Sequence, residues 1–238
     1  MSLRKRYAGR WLLLAGLALS AGSAGAKPGS RASSAASGVG GSVLPPLSAR
    51  PEQLEPGRWV RYAMVDRRTR KAVLIRLAAL SREQGGQWFE ITLADPQHGK
   101  MVFRSLVEVR NGQPGGRVLQ AIVQPPLQRP LQLPAEMARK QMPPLSGSLP
   151  KAAKPVGRSR ITVPAGRFSV RHVRHRDKAG RVQEAWISDT LRGWPLVKYR
   201  DRRMMLELVG HGKDARSELR GKPIRLDPKV LRRLGLIR

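Results

Sequence analysis

Between positions 59 and 209, apolar and polar residues alternate along much of the chain with the period of two that sends successive side chains to opposite faces of a strand. The first such runs lie at 59–65, 72–80, 88–94, 101–110 and 118–124. Short polar segments rich in turn formers separate them: 66–71, 82–87 with Gly85-Gly86, 95–100 with Pro96 and Gly99, and 111–116 with Asn111-Gly112. Links this short join antiparallel neighbours, because a parallel crossover needs about a dozen residues or more. The pattern predicts a five-stranded meander.

The stretch 125–157 breaks the alternation, carrying eight of the nineteen prolines, and proline cannot donate to a central ladder. Within it, 134–142 suits a short helix, with proline in the first turn, an acid near the start and bases near the end. Alternation resumes at 158–163, 167–175, 181–188, 196–200 and 204–209, which predicts a second meander. Beyond it the chain is polar and basic to Lys222, and Asp227 can cap a terminal helix running to 236. Either meander alone would leave a sheet face uncovered, so the two belong to one domain. The expected fold is mainly β: a single curved antiparallel sheet, a half-open barrel of about ten strands, covered by short helices, with the central helix on its concave face. The expected boundaries are 51–210 for this domain, including the proline-rich helical insert 125–157, and 211–238 for a basic tail with a short helix.

The N-terminal 50 residues have a different character. Arg4, Lys5, Arg6 and Arg10 precede the apolar run 11–19 and then the small residues Ala24-Gly25-Ala26, which is the layout of a secretory signal peptide ending at residue 26. A bilayer span needs about 20 consecutive apolar residues, and this run gives way to Ser20, Gly22 and Ser23. Residues 27–50 are dominated by Ser, Ala and Gly, a composition that buries too little surface to offset chain entropy, and predict a disordered leader. The expected location is the periplasm or the exterior.

The chain has no cysteine, which excludes disulfides, thiolate metal sites, a cysteine nucleophile and a cysteine-borne lipid anchor. Its formal charge is +30, and removing the four bases of the signal leaves +26 on the exported part. Such a surface attracts anionic membranes and envelope polyanions. Specific nucleic-acid binding is not expected, because single strands need aromatic stacking platforms as well as charge, and the few aromatics suit core packing. The bases gather in turns, notably Arg67, Arg68, Arg70 and Lys71 in one and Arg200, Arg202 and Arg203 at another. These seven are the candidate anion-attracting residues.

No catalytic, metal or cofactor site is expected. His172 and His175 are three apart, so on a strand they point to opposite faces, and arginines flank them. There is no strand-to-helix nucleophile elbow, and the paired glycines precede no helix that could hold a phosphate. Trp59, Trp88, Phe103, Phe168 and Trp186 supply large apolar surface for a one-layer sheet. Any part of the concavity they leave unfilled would be an apolar groove, the usual form of an acyl-chain site.

Three segments, Gly57-Arg58-Trp59-Val60-Arg61-Tyr62, Val163-Pro164-Ala165-Gly166-Arg167-Phe168, and Trp186-Ile187-Ser188 followed by Gly193-Trp194-Pro195-Leu196-Val197-Lys198, together resemble exported bacterial proteins of the outer-membrane lipoprotein-sorting family, the periplasmic lipoprotein carriers and receptors. The resemblance covers about 57–210. It implies a half-open antiparallel barrel around short helices, with an apolar concavity for acyl chains of lipoproteins or other lipids. No functional residue carries over by position. The leading expectation is a non-enzymatic envelope protein binding a lipid or lipoprotein acyl chain on Trp59, Trp88, Phe103, Phe168 and Trp186. The alternative is a basic polyanion-binding or structural envelope protein with a filled core. Expressed with its leader in a Gram-negative host, the exported protein should have an intact mass starting at Lys27; an uncleaved membrane-bound product would contradict the signal-peptide reading.

Overall fold

A computed structural model describes residues 54–110, 113–134 and 152–227. The chain divides into two units, Met1–Leu44 and Pro45–Arg238, and every described residue belongs to the second. The signal and leader assigned to 1–50 lie outside the described residues.

The strands are β1 (Trp59–Asp66), β2 (Ala72–Glu83), β3 (Gly86–Asp95), β4 (Gly99–Arg110), β5 (Gln113–Gln124), β6 (Leu131–Leu133), β7 (Lys154–Val163), β8 (Gly166–Arg176), β9 (Val182–Ser188), β10 (Leu196–Arg200), β11 (Met204–Gly212) and β12 (Ile224–Arg225). They form one sheet in the order β12-β6-β5-β4-β3-β2-β1-β11-β10-β9-β8-β7. Both meanders are present, and they fuse because β1 pairs antiparallel with β11, Tyr62 facing Leu208 and Asp66 facing Met204.

Three expectations need correction. The sheet has twelve strands, not about ten; the additions are β6 and β12, too short at three and two residues to show a period. They pair in parallel, so the sheet is not wholly antiparallel. The insert 125–157 holds β6 and the start of β7, since a sheet edge tolerates proline. Among the described residues there is no helix. Nearly all of the expected helix 134–142, and of the one from 227 to 236, lies outside them.

Register divides the side chains between two faces. Val60, Tyr62, Leu77, Ile91 and Leu208 share one, the Tyr62 face, where all are buried. The Tyr62 hydroxyl donates to the Leu196 carbonyl at 2.9 Å, two strands away, and burial pushes its pKa up. The opposite face carries Trp59, Ala78, Leu106 and Ile122, packed with Leu80 and Trp88. At the far side of the sheet, the Ala165 amide donates to the Leu208 carbonyl at 3.2 Å, and the Phe168 ring meets His211 edge-on at 5.8 Å. Both contacts bring the β7–β8 turn against β11, past the strands that separate them in the ladder.

The Trp59 indole lies over the β11 backbone, where a Cβ on Gly212 would come within 2.6 Å of Nε1 and one on Gly210 within 3.3 Å of the ring. Gly212→Ala should therefore destabilise the protein by about 1–3 kcal/mol, the usual cost of overpacking. Urea unfolding followed by tryptophan fluorescence measures this; an unchanged midpoint would show that the ring is free to move aside.

Candidate functional site

The five aromatic candidates do not converge on one surface. Cross-strand register puts Trp59, Trp88 and Trp186 on the same face, with Trp59 opposite Gly212 and Trp186 opposite Lys198. Phe103 faces Ile91 and Val123 on the other side. Phe168 is buried beside His211.

The Trp59 face is covered by an extended segment, 213–223, which crosses the first meander from β1 to β5. Its contacts are mostly polar, which is why it reads as a solvated tail in the sequence. The Trp59 indole donates to Asp214 at 3.0 Å and the Ala215 amide to the Gly57 carbonyl at 2.7 Å. Ser217 Oγ donates to Glu90 at 2.5 Å and the Glu218 amide at 2.8 Å. Arg76 reaches both Glu90, at 3.4 Å, and Glu218, at 3.5 Å. The Arg220 amide donates to the Gln124 side chain at 2.9 Å, and Ala215 and Leu219 pack on the apolar cluster. The Arg104 guanidinium lies over the Trp88 ring, 4.3 Å from its centre, a cation–π contact. Trp59 and Trp88 are thus part of a filled layer.

Trp186 sits in a polar lattice. Its ring stacks on His172 at 4.5 Å and 6°, with Lys198 and Arg200 within 6 Å. Beside it the buried Glu184 accepts from Arg174 at 2.9 Å and from Arg200. Burial pushes the Glu184 carboxyl up, but the hydrogen bonds and charges of Arg200 and Arg174 outweigh that and hold it below the usual range. At Glu90 the balance goes the other way: burial dominates over Ser217, the Glu218 amide and Arg76, and the carboxyl is raised.

The Tyr62 face is filled unevenly. Tyr62, Ile75, Leu77, Phe89, Ile91, Leu206 and Leu208 are fully buried, while Met64, Val73, Leu93, Phe103, Val123 and Leu131 are only half-buried. Register places Phe103, Val123 and Leu131 in one row across β4, β5 and β6, and Val73 beside Met64. The half-buried set forms a strip along the β4–β6 side and toward the end of the sheet where β1 stops and β2 starts. Phe103 is the one residue of the expected groove on this strip.

That same end carries both basic clusters. The β1–β2 and β10–β11 turns are neighbours: the Arg67 amide donates to the Arg203 carbonyl at 2.7 Å and its guanidinium to the Asp201 carbonyl at 2.8 Å. Lys71 reaches Gln97 in the β3–β4 turn at 3.2 Å. Arg68, Arg70, Arg202 and Arg203 are exposed, whereas Arg200 is engaged by Glu184. Four turns at this end share one device, an aspartate at the strand terminus whose Oδ1 accepts amides two to four residues on. Asp66 takes Arg68 and Thr69, Asp95 takes Gln97 and His98, Asp177 takes Ala179 and Arg181, and Asp201 takes Arg203 and Met204. These amides, Thr69 on Asp66 and Arg181 on Asp177 foremost, hold both carboxyls below their usual range. One oxygen of each acid is spent on the backbone, and the second oxygens of Asp95, Asp177 and Asp201 engage His98, Arg181 and Tyr199. The four aspartates were a signal available in the sequence, since each lies within two residues of the end of an alternating run.

Among the described residues no cluster of histidine and acid side chains is arranged for a metal, and no helix is long and apolar enough to cross a membrane. No known family and no curated protein matches the sequence. Solved structures do show a remote likeness. A protein from Bacteroides fragilis, described as exported and as having a YmcC-like fold, is 11% identical, with 67% of this chain and 97% of that one covered and a TM-score of 0.34. A hypothetical protein of Chlamydia trachomatis is 11% identical over 71% of this chain and 93% of its own, TM-score 0.40. A protein of Parabacteroides distasonis described as a lipoprotein is 12% identical over 69% and 99%, TM-score 0.34.

Glu184 and Glu90 predict opposite pH effects. A carboxyl lowered by folding contributes stability that is lost as pH falls below about 4.5, and one raised by folding contributes stability that is lost as pH climbs above it. In urea titrations across this range, Glu184→Gln should be destabilised at neutral pH, with its deficit closing in acid. Glu90→Gln should gain relative to wild type as pH rises. Parallel stability profiles for the two variants would contradict this electrostatic assignment.

Proposed function

We propose that this is a non-enzymatic protein of the cell envelope, periplasmic or secreted, whose sheet acts as a half-open barrel that shelters an acyl chain of a lipid or lipoprotein. The observation that carries this reading is the strip Met64, Val73, Leu93, Phe103, Val123 and Leu131, half-buried on a face whose centre is fully packed. The resemblance of the chain to lipoprotein-sorting proteins points the same way. The Trp59 face is not the binding face, because segment 213–223 already occupies it. Each methylene taken from water into the strip contributes about 0.8 kcal/mol, and the basic end raises encounter with anionic lipids more than final affinity.

A second reading is favoured by the junction of the β1–β2 and β10–β11 turns: a packed protein whose basic end binds envelope polyanions through charge alone. Ionic strength separates the two, because exposed charge is screened within about 10 Å at 0.1 M salt and apolar burial is not.

Native mass spectrometry after purification in high salt should show lipid retained by the wild type. Phe103→Ser should weaken binding of a monomeric fatty acid by about tenfold or more, from the apolar area lost. A clean apo mass without affinity for added lipid would remove the acyl-chain reading, and polyanion binding that collapses with salt and ignores Phe103→Ser would favour the second.

A further inference from the structure

Leu127 lies in the loop between β5 and β6, fully exposed, with φ of 59°. Left-handed backbone is uncommon for a branched apolar residue, and an apolar side chain standing free in water gains nothing for the fold. Its position connects it to the four aspartate-anchored turns. β5 ends opposite the start of β4, Gln124 facing Val102, so the loop emerges at their end of the sheet. A Cβ on Gly99, the first residue of β4, would stand 3.1 Å from Pro126.

The large apolar residues that are exposed among the described residues are Leu74, Leu127, Val156 and Ile224. All four gather toward this end. Leu74 is the third residue of β2, which starts there. Val156 is the third residue of β7, whose first residue, Lys154, faces Arg174 near the end of β8. Ile224 faces Leu131, the first residue of β6. Interleaved with them are exposed bases: Arg68, Arg70, Arg129, Lys178, Arg202 and Arg203.

We propose that this end docks the protein on an anionic lipid bilayer, with Leu127 entering the acyl boundary and the turn bases lying among the head groups. Charge complementarity names the occupant, and the apolar residues choose among anionic partners. A soluble polyanion would satisfy the arginines but leave Leu127 in water, whereas a membrane surface takes both. Neither feature binds stably alone: one leucine is a weak anchor, and a polybasic surface holds only at low salt. The inference extends the acyl-chain reading, since the half-buried strip approaches this end and a docked protein would present it to the bilayer.

The test is sedimentation of the full exported chain with vesicles of phosphatidylcholine alone or with about a third phosphatidylglycerol. Soluble polyphosphate serves as the second anion source. Binding should require phosphatidylglycerol. Leu127→Ser should weaken it by about tenfold, from one leucine's apolar area, and leave polyphosphate binding unchanged. Charge reversal at Arg68, Arg70 and Arg202 should weaken it by about fivefold per residue, and circular dichroism confirms that each variant keeps its sheet. Vesicle binding indifferent to Leu127→Ser, or equal on neutral vesicles, would overturn the proposal. Monomeric fatty-acid binding by the same variants reads the acyl site separately, so either reading can fail while the other stands.

Discussion

Two meanders become one sheet only where Trp59–Asp66 finds Met204–Gly212, and almost everything of functional interest follows from that pairing. It merges the Tyr62 face across both halves, so that Tyr62 can reach the Leu196 carbonyl and the core continues from Ile91 to Leu206. It sets the β1–β2 turn beside the β10–β11 turn, joined through Arg67. It also delivers the chain after Gly212 onto the Trp59 face, where the Trp59 indole, the buried Glu90, Arg76, Lys100, Gln124 and the Gly57 carbonyl bind it. Contacts this far apart in sequence form at an entropic cost that only a well-filled face can offset.

The faces are finished by different chemistry. On the Tyr62 face, apolar side chains fill one another at the centre and thin out toward β4–β6 and the turn end. On the Trp59 face, the cover is a polar strand-like segment, and its anchor is Glu90, a carboxylate that costs free energy to bury unless Arg76, Ser217 and the Glu218 amide satisfy it. Removing one partner of such a group is far more costly than the net value of the set, which makes the cover specific in register even though each contact is modest.

Strands long enough to show their period were legible: the ten alternating runs correspond to β1–β5 and β7–β11, and the turn chemistry between them marks the hairpins. What escaped the sequence is what lacks a period. β6 and β12 are too short, and segment 213–223 carries Asp214, Ser217, Glu218 and Arg220, which look solvated until Glu90 and Gln124 are set opposite them. Of the five candidate aromatics, Trp88 and Phe168 are buried and Trp59, Phe103 and Trp186 half-buried, and the sequence does not assign them to a face, because alternation says that neighbours diverge without saying which side is inside. The basic clusters were visible one by one; their meeting depends on the long-range β1–β11 pairing.

The central claim is that an acyl chain lies on the Tyr62 face along the half-buried strip and not beneath segment 213–223. A fatty acid bearing a photoactivatable diazirine near its methyl end, cross-linked to the exported protein and mapped by peptide mass spectrometry, tests this directly. Adducts at Met64, Val73, Leu93, Phe103 or Val123 are the predicted result. Adducts at Trp59, Trp88 or Leu106, or labelling spread evenly over the chain, would contradict it.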